Sequence, residues 1–253
     1  MTIGGFKIRL WHIAFFVVAL VVFAVARAPA SLVVPSREGG LAYSRAEGTI
    51  WSGRFIEARL NGVDAGTISY KVSLFNLVRG LLDVDFDMEG GALSGEGLTL
   101  KADWRGDRRL IAPDVTLQGA QVTEGLALVG ATRIEGLDLY FSDGRCVTAA
   151  GRLSSDVLAR SGAQLGWQGP RLSGEASCRD AAAQLTLIGA SSDGDTVQSL
   201  IELAPTGEGL WRAFVGTQKP ALRAMLEQQG FRQFEGGPNV LLSKDFRWLP
   251  TQS

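Results

Sequence analysis

The sequence predicts a mainly β protein, in which one N-terminal transmembrane helix precedes a curved antiparallel β-sheet or sandwich-like exported domain with a few short helices. Three observations predict this. An uncharged apolar run from Ile13 to Ala26 occurs near the start and nothing like it follows. From Tyr43 onward the apolar period drops to two, the spacing of a strand with one wet face and one buried face. Glycine is in excess, 32 residues against 8 prolines, and is spread through the chain as punctuation between short strands.

The apolar run comes first. Lys7 and Arg9 precede it and Arg27 closes it. Extended by Leu10, Trp11 and His12, it reaches the lower end of the roughly 17–25 residues that cross a hydrocarbon core of about 30 Å. The cations before it favour a cytoplasmic N-terminus. On this reading Ile13, Phe15, Phe16, Val17, Val18, Leu20, Val21, Val22 and Phe23 form the membrane anchor. Ala24-Val25-Ala26 also fits the small-residue pattern at which a secretory signal is cleaved. Either reading exports the remainder of the chain. The bulky apolar core, and Pro29 at the centre of Ala28-Pro29-Ala30, favour retention. A run apolar on every face is not what a surface helix of a soluble domain shows. The expected organisation is a cytoplasmic N-terminus at 1–9, a transmembrane signal anchor at 10–27, a juxtamembrane linker at 28–42 holding Pro29, Pro35 and Gly39-Gly40, and a β-rich domain at 43–253.

The strands follow. Phe55, Glu57 and Arg59 alternate with Arg54, Ile56, Ala58 and Leu60, and Ile68, Tyr70 and Val72 alternate with Thr67, Ser69 and Lys71. In the segment Leu82 to Glu89, four carboxylates fall on one face of an extended chain and the apolar residues on the other. The pattern recurs at Leu98 to Lys101, Val115 to Gln118, Leu137 to Tyr140, Leu172 to Cys178, Leu185 to Ile188 and Val197 to Leu203. Helical signals are fewer. Leu74, Leu77, Val78 and Leu81 share helical spacing behind Ser73 and stop at Gly80. Asp156 with Val157 and Leu158 suggests a second helix ending at Gly162. Thr217 to Gln229, with Pro220 in its first turn and Gly230 as its stop, suggests a third.

A net charge of -1 with interspersed signs supplies no basic field for nucleic acid. The only histidine, His12, lies in the apolar run, and there is no nucleophile elbow and no phosphate loop. No enzyme, catalytic residue, metal or cofactor is expected. Asp83, Asp85 and Asp87 lack the loop glycine and distal glutamate of a calcium site and read as a solvated strand face. The six tryptophans read as packing residues rather than a ligand platform. Cys146 and Cys178 both fall in the exported part, where a disulfide is the expected state. Closing that loop is worth about 3 to 4 kcal/mol in the loop-entropy model.

One segment carries a resemblance. Gly48-Thr49-Ile50-Trp51-Ser52-Gly53, soon after a single N-terminal anchor, resembles the G-T-[LIV]-W-x-G signature of type II secretion system protein N, the GspN family. Gly48, Thr49, Trp51 and Gly53 are its motif residues here. Ser69-Tyr70-Lys71-Val72 with Leu77 and Gly80, Gly151 to Asp156, Leu165 to Pro170, and Leu172-Ser173-Gly174 up to Cys178 match in the same order, so that coverage runs from about Arg9 to Gly236. Tyr70 stands where the family often has tryptophan. The resemblance implies an accessory inner-membrane component of the type II secretion system: single-pass, with a non-catalytic periplasmic interaction and assembly module supporting export of folded proteins across the outer membrane. Its expected partners are other secretion components and the inner membrane. A fainter likeness to AsmA-like envelope proteins implies an alternative, lipid binding along the concave face of a curved sheet. In that case Val84, Phe86 and Met88, or Leu137, Leu139 and Phe141, would line a groove. Alternation looks alike in a sandwich, a barrel and an open trough.

Overall fold

The computed structural model describes residues 16–17, 19–20, 23–30, 40–60, 62–119, 121–123, 126–127, 129–162, 166–234 and 239–247. The first half of the β domain contains β1 (Leu41–Ala42), β2 (Arg45–Thr49), β3 (Ser52–Leu60), β4 (Val63–Val72), β5 (Leu81–Glu89), β6 (Leu93–Asp103) and β7 (Arg108–Gln118). A small ribbon, β8 (Gln121–Thr123) with β9 (Leu126–Ala127), is followed by β10 (Ala131–Ser142), β11 (Arg145–Ser155), β12 (Leu172–Arg179) and β13 (Ala182–Ala190). The chain continues through β14 (Thr196–Leu203), β15 (Glu208–Gly216), β16 (Arg232–Gln233) and β17 (Asn239–Arg247). Apart from the β8–β9 ribbon these strands form one 15-stranded antiparallel sheet. Neighbours in sequence are mostly neighbours in space, because short turns join strands that cannot bury their apolar face alone.

The sheet curls. A guanidinium N–H of Arg108, at the start of β7, donates to the carbonyl of Pro205, just past β14, at 2.6 Å. Those strands lie five pairings apart along β7-β10-β11-β12-β13-β14. In a flat sheet five steps of about 4.8 Å would separate them by roughly 24 Å. Curling gives the C-terminal half a closed interior, in which Leu139 (0%), Phe141 (1%) and Val240 (0%) have almost no exposure. Leu137, Leu153, Leu185, Leu187, Val197 and Val215 join them, together with Trp167 and Leu222. The N-terminal half has its own cluster of Phe55, Ala58, Ala65, Ile68 and Met88, and Leu98 of β6 packs against both. Leu137, Leu139 and Phe141 therefore fill a core, and they do not line a trough. Val84 and Met88 are buried as well.

Three short helices accompany the sheet: Leu74–Val78, Val157–Ser161 and Pro220–Gln228. The third starts later than its sequence signals suggest. Thr217 does not cap it. Its hydroxyl instead donates to the carboxylate of Asp195 at 2.7 Å, and Lys219 takes the cap position.

The expectation of a transmembrane helix is corrected. Among the described residues no helix is long and apolar enough to cross a membrane. Of the expected anchor, Phe16, Val17, Leu20 and Phe23 are helical, while Ile13, Phe15, Val18, Val21 and Val22 lie outside the described residues. The run was already at the lower limit of length for a span. The single-pass inner-membrane localisation inferred from that helix is corrected with it. The stretch assigned to a linker contains ordered contacts: Pro29 bridges Thr49, Ala30 is buried, and Leu41–Ala42 pairs with the end of β3.

Candidate functional site

The motif residues form the tip of the β2–β3 hairpin, where Thr49 pairs with Ser52 across the turn Ile50-Trp51. Both glycines are required by close approach. Gly48 sits at φ +99, where a Cβ would lie 2.4 Å from the Ser52 carbonyl oxygen, and a Cβ on Gly53 would lie 2.3 Å from that of Glu47. Thr49 Oγ1 accepts the Trp51 backbone N–H at 3.3 Å, which holds the turn. The Tyr70 hydroxyl donates to the Thr49 carbonyl, and its ring stacks on Phe55 with centroids 5.2 Å apart. Burial pushes the Tyr70 phenol above its ordinary pKa.

With the tip so fixed, its outward groups hold the segment before it. The Trp51 indole N–H donates to the Val25 carbonyl at 3.0 Å, and the Ile50 N–H donates to that of Ala28 at 2.9 Å. On its other side the Trp51 carbonyl accepts the Val72 N–H at 2.7 Å. The motif is thus a clasp, joining residues 25–29 to the sheet at the end where β4 stops and β5 starts. A cavity-lining or catalytic role finds no support in this geometry.

The same end of the sheet is apolar on its outside. None of the five residues of the Leu74–Val78 helix is buried. Phe75 is 66%, Val78 90% and Trp104 78% exposed, with Leu74, Leu77, Leu81 and Leu82 also open to solvent. Trp104, expected among the packing residues, lies instead across Gly80, where a Cβ would come within 3.0 Å of the indole.

The opposite end is polar and tightly bonded. Asp195, only 2% exposed, accepts the Trp167 indole N–H at 2.8 Å and the Thr217 hydroxyl at 2.7 Å. Lys219 Nζ reaches it at 3.1 Å and reaches Asp193 at 2.6 Å. Burial pushes the Asp195 carboxyl up, but donation from Thr217, Lys219 and Trp167 outweighs it and leaves the pKa below the ordinary value. One carboxylate thereby ties the loop before β12, the β13–β14 turn and the start of the Pro220–Gln228 helix. Sequence reasoning did not find it. Its partners come from two loops distant in sequence, one holding Trp167 and the other Thr217 and Lys219, and an aspartate in a glycine turn carries no signal of its own.

Cys146 and Cys178 are joined by a disulfide with Cα atoms 5.6 Å apart. The β5 carboxylates engage their neighbours. Asp83 accepts from Asn76 Nδ2 at 2.6 Å, Asp85 accepts the Thr99 hydroxyl at 2.8 Å, and Asp87 accepts the Gly97 N–H at 2.7 Å. Among the described residues no group of three or more histidine, cysteine, aspartate or glutamate side chains could hold a metal ion.

These features define a β-sheet scaffold whose ordered polar groups serve structure. A family model described as type II secretion system (T2SS), protein N, matches residues 39–240, well over half of the 253-residue chain. The chain belongs to the type II secretion system protein N family. It is a non-catalytic accessory component of the type II secretion apparatus, and its partners are other components of that apparatus. No curated protein and no solved structure matches it.

Proposed function

We propose that the chain serves the apparatus as a periplasmic docking module that accepts an extended segment of another secretion component along the outer edge of β17. The observation that carries this is the open path of the sheet. Among the described residues, β17 pairs with β15 along its whole length, while its other edge pairs with β16 only at Val240 and Leu241. An uncovered edge presents a row of backbone donors and acceptors that an added strand can complete. Ser243, Lys244 and Asp245 are exposed along that stretch. Such polar side chains discourage unselective pairing and leave a partner of complementary charge as the favoured occupant.

The test is photo-crosslinking in cells that assemble the apparatus. A benzoylphenylalanine in place of Lys244 is expected to trap another secretion component, and the same residue in place of Asp85, on the solvated face of β5, to trap none. Trapping from Asp85 with none from Lys244 would overturn the assignment of the edge.

A further inference from the structure

We propose that the motif end of the sheet rests in the headgroup layer of an anionic lipid surface, with Phe75, Val78, Leu81 and Trp104 inserting and Arg27, Arg79 and Arg105 engaging phosphates around them. The contact is lateral and needs no helix that crosses the bilayer.

Exposed apolar residues on a soluble domain are usually scattered singly, and a contiguous group of large ones marks an interaction surface. Here they are contiguous. Leu81 pairs with Asp103, the neighbour of Trp104, and the Trp104 indole covers Gly80 between Val78 and Leu81. The clasp brings a second apolar surface to the same place. Trp51 holds Val25, just beyond exposed Phe16, Leu20 and Phe23, which share one helical face by their spacing.

Charge selects the occupant. Arg27 stacks over Phe23 at 5.4 Å, Arg79 over Phe75 at 4.1 Å and Arg105 over Trp104 at 5.2 Å. All three stacks lie at this end, and among the described residues none of these arginines forms an ion pair. The nearby carboxylates are already engaged. Asp83 binds Asn76 and lies 3.6 Å from Lys101, Asp103 accepts the backbone N–H groups of Arg105 and Asp107 at 2.9 Å each, and Asp107 accepts the Tyr140 hydroxyl at 3.1 Å. The result is an apolar tip ringed by guanidinium groups. Aromatic residues at headgroup depth, with cationic side chains reaching phosphates, match that chemistry. The corresponding turns of the C-terminal half, Asp143-Gly144 and Asp180-Ala181, carry no large apolar residue.

The full chain is mixed with vesicles of phosphatidylglycerol and phosphatidylethanolamine whose acyl chains are brominated close to the headgroup. Tryptophan quenching is then compared with that of Trp104→Phe. The parent chain is expected to show a quenched component that the variant lacks, and Arg79→Gln with Arg105→Gln should weaken vesicle binding by about thirtyfold. A fluorophore on Val78→Cys should shift to the blue with these vesicles and not with phosphatidylcholine alone. Equal quenching in the parent chain and Trp104→Phe, with an unshifted Val78 probe, would overturn the proposal. So would shielding of Trp104 only when other secretion components are added, which would make the tip a protein-docking surface. Crosslinking from Lys244 is independent of the tip, so failure of one proposal leaves the other standing.

Discussion

Asp195 shows how much one side chain can hold. Its carboxylate is buried, and three donors from two separate loops stabilise its charged form more than burial penalises it. The folded-state pKa therefore lies below the unfolded one. The resulting stability is present above the ordinary carboxylate pKa of about 3.9 and is lost as pH falls through the lowered folded value. Asp195→Ala is expected to cost about 3 kcal/mol at pH 7, because it leaves the Trp167 N–H and the Thr217 hydroxyl without their acceptor. Urea midpoints at neutral pH and near pH 3 check both statements. The difference between parent and variant should shrink in acid, and a difference that stays constant would mean that the charge contributes nothing.

At the scale of the element, the hairpin shows why a glycine motif is conformational before it is functional. Gly48→Ala places a side chain at φ +99 and within 2.4 Å of the Ser52 carbonyl oxygen. A loss of about 1–3 kcal/mol is expected from backbone strain of this kind, read as a lower thermal midpoint. If the hairpin alone yields, the first change should be faster amide exchange at Ile50, whose N–H secures Ala28. Most strands were legible because alternation with period two survives tertiary packing, as at β5, where Val84 and Met88 are buried while Asp85, Asp87 and Glu89 are exposed. β3 was not fully legible. Its register slips between Phe55 and Ala58, with Glu57 at φ 53, so Phe55 and Ala58 are buried together although simple alternation puts them on opposite faces. An inserted residue changes the phase without changing the composition, and no period count detects it.

Across the whole molecule the sheet curls, and the disulfide sits where one ladder is interrupted. β11 and β12 pair directly only over Arg152–Ser155 with Leu172–Glu175, and toward the far end of β12 the Cys146 N–H donates to Ala181 beyond that strand. The Cys146–Cys178 bridge joins the two strands where their pairing has lapsed. Replacing both cysteines with serine is expected to lower stability by about 3 kcal/mol through the freed loop. The check is the urea midpoint of the oxidised parent against the double variant, and an unchanged midpoint would mean that the crease holds without the bridge.

Periodicity, glycine spacing and the G-T-I-W-S-G segment were enough to establish a mainly β chain of the protein N family without catalytic chemistry, because each is a local property that side-chain sequence carries directly. The curl of the sheet, the enclosure of Leu137, Leu139 and Phe141, the convergence on Asp195 and the exposure of Phe75, Val78 and Trp104 were settled only in three dimensions. Each depends on which distant strands and loops meet, and residues with the same apolar pattern can fill a core or face outward depending on that meeting. The apolar run at the start is the clearest instance. Its hydropathy suggested a span, whereas among the described residues no helix is long and apolar enough to cross a membrane, and Val25 is held by the Trp51 clasp at the sheet's apolar end.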